Sequence, residues 1–138
     1  MKDRKLKIRI EKYSSPDKLG YNIFIEGRKG SGFVIAEPLL AEHKPDREIF
    51  YKLGVGKKDL VVYISHFYPN GFPGEEENMR KGVGSIVLDF VLKDLKEREI
   101  RGINLAATTD YMIKFCNKNN FIENNSFRGL YRRFYKLI

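Results

Sequence analysis

The chain has 138 residues and a mass of 16.1 kDa, which fits one domain over 1–138 and buries roughly 70% of the unfolded surface without staples. Hydrophobic residues at 42% and charged residues at 32% exclude a disordered or fibrous protein, no apolar run approaches a membrane span, and Met1-Lys2-Asp3-Arg4-Lys5 leads into alternating residues where a signal peptide is expected to have an apolar core. Lys and Arg number 26 against 18 Asp and Glu, a formal +8 concentrated toward both ends, which favours an anionic partner: nucleic acid, a membrane surface or a phosphorylated small molecule. One cysteine, Cys116, excludes an intramolecular disulfide and a cysteine-rich zinc site, and the only histidines are His43 and His66. The expected setting is the cytoplasm, with no metal and no membrane.

Leu6, Ile8 and Ile10 alternate with Lys7, Arg9 and Glu11, so residues 5–13 read as a half-buried strand, broken by Ser14-Ser15-Pro16-Asp17. Residues 21–26 and 32–37 are apolar and β-rich around Gly27-Arg28-Lys29-Gly30-Ser31, the pattern of a hairpin. Residues 38–58 show no clear period and predict a long loop with one helical turn. Gly54-Val55-Gly56-Lys57 has the end of a phosphate loop, but Tyr51 stands where its first glycine is required, so a turn before a strand is expected. Leu60 to Tyr68 is almost continuously apolar, which predicts a strand covered on both faces and central in its sheet. A loop with Pro73-Gly74 and Glu75-Glu76-Glu77 follows.

Val83, Ile86, Val87, Phe90, Val91 and Leu95 recur at helical spacing, with Asp89, Lys93, Lys96 and Glu97 opposite, and predict a helix over 83–98. Ile103, Leu105 and Ala107 predict a strand near 101–108. Thr109 or Asp110 is suited to cap a helix over 110–119 with Met112, Phe115 and Cys116 inward. A short strand at Phe121-Ile122 and a longer one near 129–137 close the chain. The strand–helix–strand order implies one right-handed parallel crossover in an otherwise antiparallel sheet, an α/β fold of the mixed α+β kind.

The segment richest in chemistry is Met79-Arg80-Lys81-Gly82-Val83-Gly84-Ser85, which runs straight into the long helix. Two glycines at a helix entrance let the backbone approach a ligand and turn free amides toward it. Those amides and the helix dipole favour an anion, and Arg80 and Lys81 add charge, so a diphosphate is the natural guest. A dinucleotide fingerprint is disfavoured, because Val87 stands where a third small residue is needed.

The order of central strand, basic Gly-x-Gly turn, long amphipathic helix, strand and short helix resembles the GNAT superfamily of N-acetyltransferases. Met79 to Ser85 is similar to that family's Gln/Arg-x-x-Gly-x-Gly/Ala acyl-CoA loop, and Phe115-Cys116-Asn117-Lys118-Asn119-Asn120-Phe121 to its Phe-Tyr-x-x-x-Gly-Phe helix end. The resemblance covers about 60–138. The N-terminal hairpin agrees with the family's meander, with little room for its first two helices. What it implies is a V-shaped opening in a mostly antiparallel sheet, and transfer of an acetyl or other acyl group from acetyl-CoA to a primary amine by direct attack in a ternary complex.

The resemblance also assigns residues. Amides from Arg80 and Lys81 through Gly82, Val83, Gly84 and Ser85 would bind the CoA pyrophosphate. The pantetheine arm would lie between the strand holding Ile64, Ser65 and Phe67 and the strand at 103–108, with Thr109 where the family often places an asparagine. Cys116 stands at the tyrosine that protonates the leaving thiolate, and Tyr111 is the alternative donor. His66, at the end of the central strand, is the candidate general base. Met79, Met112 and Asn120 depart from the family's pattern.

Two other readings stay open. Loss of the tyrosine and of the first loop residue fits a module that binds acyl-CoA without turnover. Residues 127–136 interleave aromatic and basic side chains, as single-strand nucleic-acid binders do and as a terminal strand with one buried face also does. The acceptor is a small-molecule or protein amine, and 38–58 and 69–78 are expected to shape its pocket.

Overall fold

The computed structural model describes residues 7–27, 31–69, 82–126 and 131–138. The strands are β1 (Ile8–Ser15), β2 (Lys18–Ile25), β3 (Gly32–Leu40), β4 (Leu60–Tyr68), β5 (Ile100–Ala107), β6 (Ile122–Glu123) and β7 (Arg132–Leu137). They form one sheet of seven strands in the order β1-β2-β3-β4-β5-β7-β6. Every neighbouring pair is antiparallel except β4 and β5, which run parallel. The helices among the described residues are α1 (Arg47–Lys52), α2 (Val83–Glu97) and α3 (Asp110–Lys118), with a 3-10 turn at Ala41–His43. The mixed sheet with its single parallel crossover is the architecture expected from the element order.

The differences lie where polarity hides structure. Ser15 pairs with Lys18, so Pro16-Asp17 is a two-residue hairpin turn, and the strands beside it reach further than their apolar stretches. β1 is a mostly exposed edge, and backbone pairing with β2 carries it through Ser14 and Ser15 without any apolar signal. β3 continues through Pro38 to Leu40. Its last pair with β2 is at Ala36, so Pro38 sits where one side of β3 is an edge and a missing amide is tolerated. The stretch 38–58 therefore contains the end of a strand, a 3-10 turn and the six-residue α1, more order than a loop with one helical turn.

The sheet is covered on both faces. On one, Ile23, Val34, Val62, Ile103 and Phe134 pack with Val87, Leu88, Val91 and Leu95 of α2 and Phe115 and Cys116 of α3. On the other, Val61 and Tyr135 pack with Ala41 and with Ile49 and Phe50 of α1. Gly102 makes room for this second layer, since a Cβ there would stand 3.2 Å from the Phe50 ring.

Asp94 ties α2 to the N-terminal hairpin. It accepts hydrogen bonds from the Tyr21 hydroxyl at 2.7 Å, Arg98 Nε at 2.9 Å and Lys12 Nζ at 3.1 Å. Burial opposes its charge, but the three donors outweigh that and hold the carboxyl below its ordinary value. A depressed folded value means that the stabilisation is present above the unfolded pKa of about 4 and is lost as pH falls through the folded one. Asp94→Ala strands the buried Tyr21 hydroxyl and is expected to cost about 1–3 kcal/mol, read as a lower denaturant midpoint at unchanged m-value.

Candidate functional site

β4 and β5 pair over only half their length. The register runs Leu60–Ile100, Val61–Gly102, Val62–Ile103 and Tyr63–Asn104, and stops. Beyond it β4 stays with β3 as far as Phe33–Tyr68, and β5 stays with β7 as far as Ala107–Arg132. Among the described residues the facing backbone edges of 64–68 and 105–107 therefore have no partner strand, and a V-shaped opening lies between them. It starts two residues later on β5 than expected, because Ile103 and Asn104 are still paired.

The cause lies in β4 itself. Ile35 pairs with His66 and Ala36 with Ile64, so Ser65 is an extra residue, a β-bulge that bends the strand just past its last pair with β5. The bulge also resets the alternation. Val62, Ile64 and then Phe67 face the layer of α2 and α3. His66 turns to the opposite face, with ring centroids 6.0 Å from Phe33 and 6.1 Å from Tyr68. It is exposed, and its Nδ1 lies 3.1 Å from Ser65 Oγ.

At the entrance of α2, Gly82 has φ 75° and ψ 6°, a left-handed conformation that suits glycine, and no atom of the described residues lies within 4 Å of where a Cβ would stand. It lends no side chain to the helix amides of Val83, Gly84 and Ser85. Gly84 serves packing, since a Cβ there would lie 3.1 Å from the Phe115 ring. The same ring stands 5.2 Å from that of Phe67. The end of β4, the start of α2 and the body of α3 thus meet at Phe115. Arg80 and Lys81 lie outside the described residues, as do Met79 and Glu75-Glu76-Glu77.

On α3, Thr109 is the N-cap, its Oγ1 accepting from the Met112 amide at 3.1 Å. Asn120 takes the left-handed conformation, φ 64°, at the position of the family's glycine. Tyr111 is 40% exposed, and burial of the remainder raises its hydroxyl pKa. Cys116 is fully buried in the core, and burial, aided by Glu123, pushes its thiol up to about 12.

One cluster had no signal in the sequence. At the foot of the opening, on the face of His66, Lys44 Nζ donates to Asn104 Oδ1 at 2.9 Å and lies 5.4 Å from the Tyr63 ring centroid. Asp46 Oδ2 accepts from the Tyr135 hydroxyl at 2.6 Å and from Asn104 Nδ2 at 3.4 Å, while its Oδ1 stands 3.8 Å from Lys44 Nζ. Burial, opposed by Asp46, brings the Lys44 pKa below its ordinary value. Polar residues in an aperiodic stretch read as solvated loop, and only the fold shows that these two are buried.

The terminal strand differs from a strand with one buried face. Phe134 and Tyr135 are both fully buried, one on each face, and Arg132 is held by Glu123 through bonds of 2.6 and 2.7 Å. Those two rings are not available to stack on bases; residues 127–130 lie outside the described set.

Among the described residues no helix is long and apolar enough to cross a membrane. No protein-family model and no curated protein matches the sequence. Among solved structures, the chain is similar to NAA60 of Arabidopsis thaliana in complex with acetyl-CoA, with a TM-score of 0.69 and 18% identity over 90% of this chain and 78% of that one. It is similar to the PaiA N-acetyltransferase of Thermoplasma acidophilum in complex with coenzyme A, with a TM-score of 0.62 and 17% identity over 88% and 62%. It is also similar to the GNAT domain of S. lividans PAT, with a TM-score of 0.61 and 18% identity over 88% and 61%. The chain spans about three-fifths of the length of the latter two. The strand order, the single parallel pair and these likenesses establish that the chain has the fold of the GNAT N-acetyltransferases.

Proposed function

We propose that the protein is an N-acyltransferase that uses acetyl-CoA to acylate a primary amine. The observation that carries this reading is the parting of β4 and β5 beyond Tyr63 and Asn104. Backbone donors and acceptors lining such a gap are costly to leave unmet, and a linear arm bearing amides matches them. The entrance of α2, which no side chain among the described residues caps or fills beside Gly82, suits the diphosphate of the same molecule. Arg80 and Lys81 are proposed to add charge there.

Bound acetyl-CoA supplies an activated thioester. Backbone groups of Ile64, Ser65 and Phe67 orient the arm, and the amides of Gly82, Val83, Gly84 and Ser85 hold its anionic end. Thr109 spends a lone pair on its helix and keeps its hydroxyl proton for a ligand acceptor. His66 accepts the proton that the attacking amine must lose. Orientation of amine and acyl carbon supplies much of the remaining rate.

For the proton that the departing thiol needs, the notion of Cys116 as donor meets its burial and its raised pKa, which make it a weak acid held in the core. Tyr111, exposed on the first turn of the same helix, is the better placed donor. Cys116→Ala is therefore expected to cost about 1 kcal/mol of stability by core truncation and to leave turnover unchanged. A large loss of turnover at constant CoA affinity returns the role to Cys116. Should neither Tyr111→Phe nor Cys116→Ala alter a measurable rate, the donor is neither of them.

The assignment of the helix entrance is tested with Gly82→Val, followed by CoA titration. A Cβ meets no atom of the described residues there, and the left-handed conformation costs a β-branched residue about 1–2 kcal/mol locally. The affinity for CoA is expected to fall at least about tenfold. Gly82→Asn, which accepts that conformation, fills the same space with less strain. Unchanged affinity in both variants contradicts the assignment.

A further inference from the structure

We infer that Ser65 is a positioning residue that fixes the neutral tautomer of His66, leaving the Nε2 lone pair as the base. The inference rests on the reading of His66 as the group that takes the amine proton. It starts from the bulge. Ser65 pairs with no residue of β3, and its side chain lies between its own strand and the next, with Oγ 3.4 Å from the Ile35 carbonyl oxygen and 3.1 Å from His66 Nδ1.

The Ile35 carbonyl, which can only accept, sets the polarity assigned to this chain. A hydroxyl has one proton to donate, and a carbonyl oxygen only accepts. With that proton directed at Ile35, Oγ meets the imidazole through a lone pair, so Nδ1 carries the ring hydrogen. The neutral ring then has its acceptor nitrogen at Nε2, the state a general base requires. The reverse polarity, with Ser65 donating to Nδ1, would place the ring hydrogen on Nε2 and silence it.

The surroundings hold the ring without competing for that role on charge. Phe33 and Tyr68 flank it, and among the described residues the titratable groups on the same face are Tyr68 and Tyr63 of β4, Glu37 of β3 opposite Tyr63, Lys44 over the Tyr63 ring, and, around Lys44, Asp46, Tyr135 and Arg133. The bulge makes the arrangement possible. In a regular strand adjacent side chains point to opposite faces, and Ser65 and His66 would be held apart.

The tautomer is read directly in the free protein by long-range nitrogen–proton correlation spectra of labelled material at a pH where the ring is neutral. The chain has two histidines, so His43→Gln assigns the signals. The expected result is His66 with its hydrogen on Nδ1, a shift toward the other tautomer in Ser65→Ala, and recovery in Ser65→Thr. Ser65→Ala is also expected to lower turnover about tenfold at nearly constant CoA affinity, since its backbone is unchanged. A hydrogen on Nε2 in the unmodified protein, or a tautomer indifferent to Ser65→Ala, overturns the inference even if His66→Gln is inactive. A fully active His66→Gln instead removes His66 as base, and with it the role given to Ser65.

Discussion

His66→Gln is expected to lower turnover by about 100- to 10,000-fold, the usual worth of a positioned base, with CoA affinity changed by no more than about twofold. The split follows from where the ring sits. It stands on β4 beside the opening, but on the face turned away from α2 and α3, so it is not part of the helix entrance that would hold the anionic end of CoA. It is also exposed, so its loss opens no core cavity, and the variant should melt close to the parent. Single-turnover rates with acetyl-CoA and an amine, alongside CoA titration, check both halves. Undiminished turnover would falsify the assignment of His66 as base.

The second large effect concerns stability. Asp46→Ala is expected to cost about 3–5 kcal/mol, because it takes the nearest counter-charge from a buried ammonium. Lys44 is only 7% exposed, and in Asp46→Ala it keeps Asn104 Oδ1, the faces of Phe50 and Tyr63 and the more distant charge of Glu37, but loses its nearest carboxylate. The buried Tyr135 hydroxyl loses its acceptor in the same step. Asp46→Asn keeps an acceptor for Tyr135 and loses the charge, so it should fall between parent and alanine variant. A double variant, Lys44→Met with Asp46→Asn, removes both charges and should recover much of the loss. Denaturant midpoints of the four proteins test this; an Asp46→Ala midpoint equal to the parent's contradicts a buried, coupled pair. Since this cluster closes the foot of the opening, its loosening should also raise the KM for the acceptor.

The parts of the fold that could be read in the sequence are those where burial and backbone period coincide. Leu60 to Tyr68 is largely apolar because α2 and α3 cover one face of it and α1 the other at Val61, although Leu60 and His66 are exposed, and α2 shows its stripe because Val83, Val87, Val91 and Leu95 all face the sheet. α3 follows for the same reason, through Phe115 and Cys116. Where pairing acts without burial, as at Ser14, Ser15 and Lys18, the pattern has nothing to show. Where burial is polar, as at Lys44 and Asp46, the pattern misleads.

The site was legible to a similar depth. Glycine at 82 and the helix behind it announce an anion-accepting entrance, and its left-handed backbone agrees. The bulge could not be read, because one inserted residue among Val61, Val62, Ile64 and Phe67 leaves the stretch equally apolar in any register. Yet that insertion decides which face His66 occupies and whether Ser65 reaches it. Thr109 posed the opposite problem: capping and ligand contact both suit a threonine there, and the cap is what the fold displays.

The central claim is that the gap between β4 and β5 is a seat for acyl-CoA. Calorimetric titration with acetyl-CoA, with CoA and a short oligonucleotide as comparators, tests it most directly. Saturable binding of acetyl-CoA and CoA, weakened at least about tenfold in Gly82→Val, with little heat from the oligonucleotide, is the predicted result. No heat with acetyl-CoA, together with an oligonucleotide response that falls steeply with salt, would contradict it and assign the basic surface to nucleic acid.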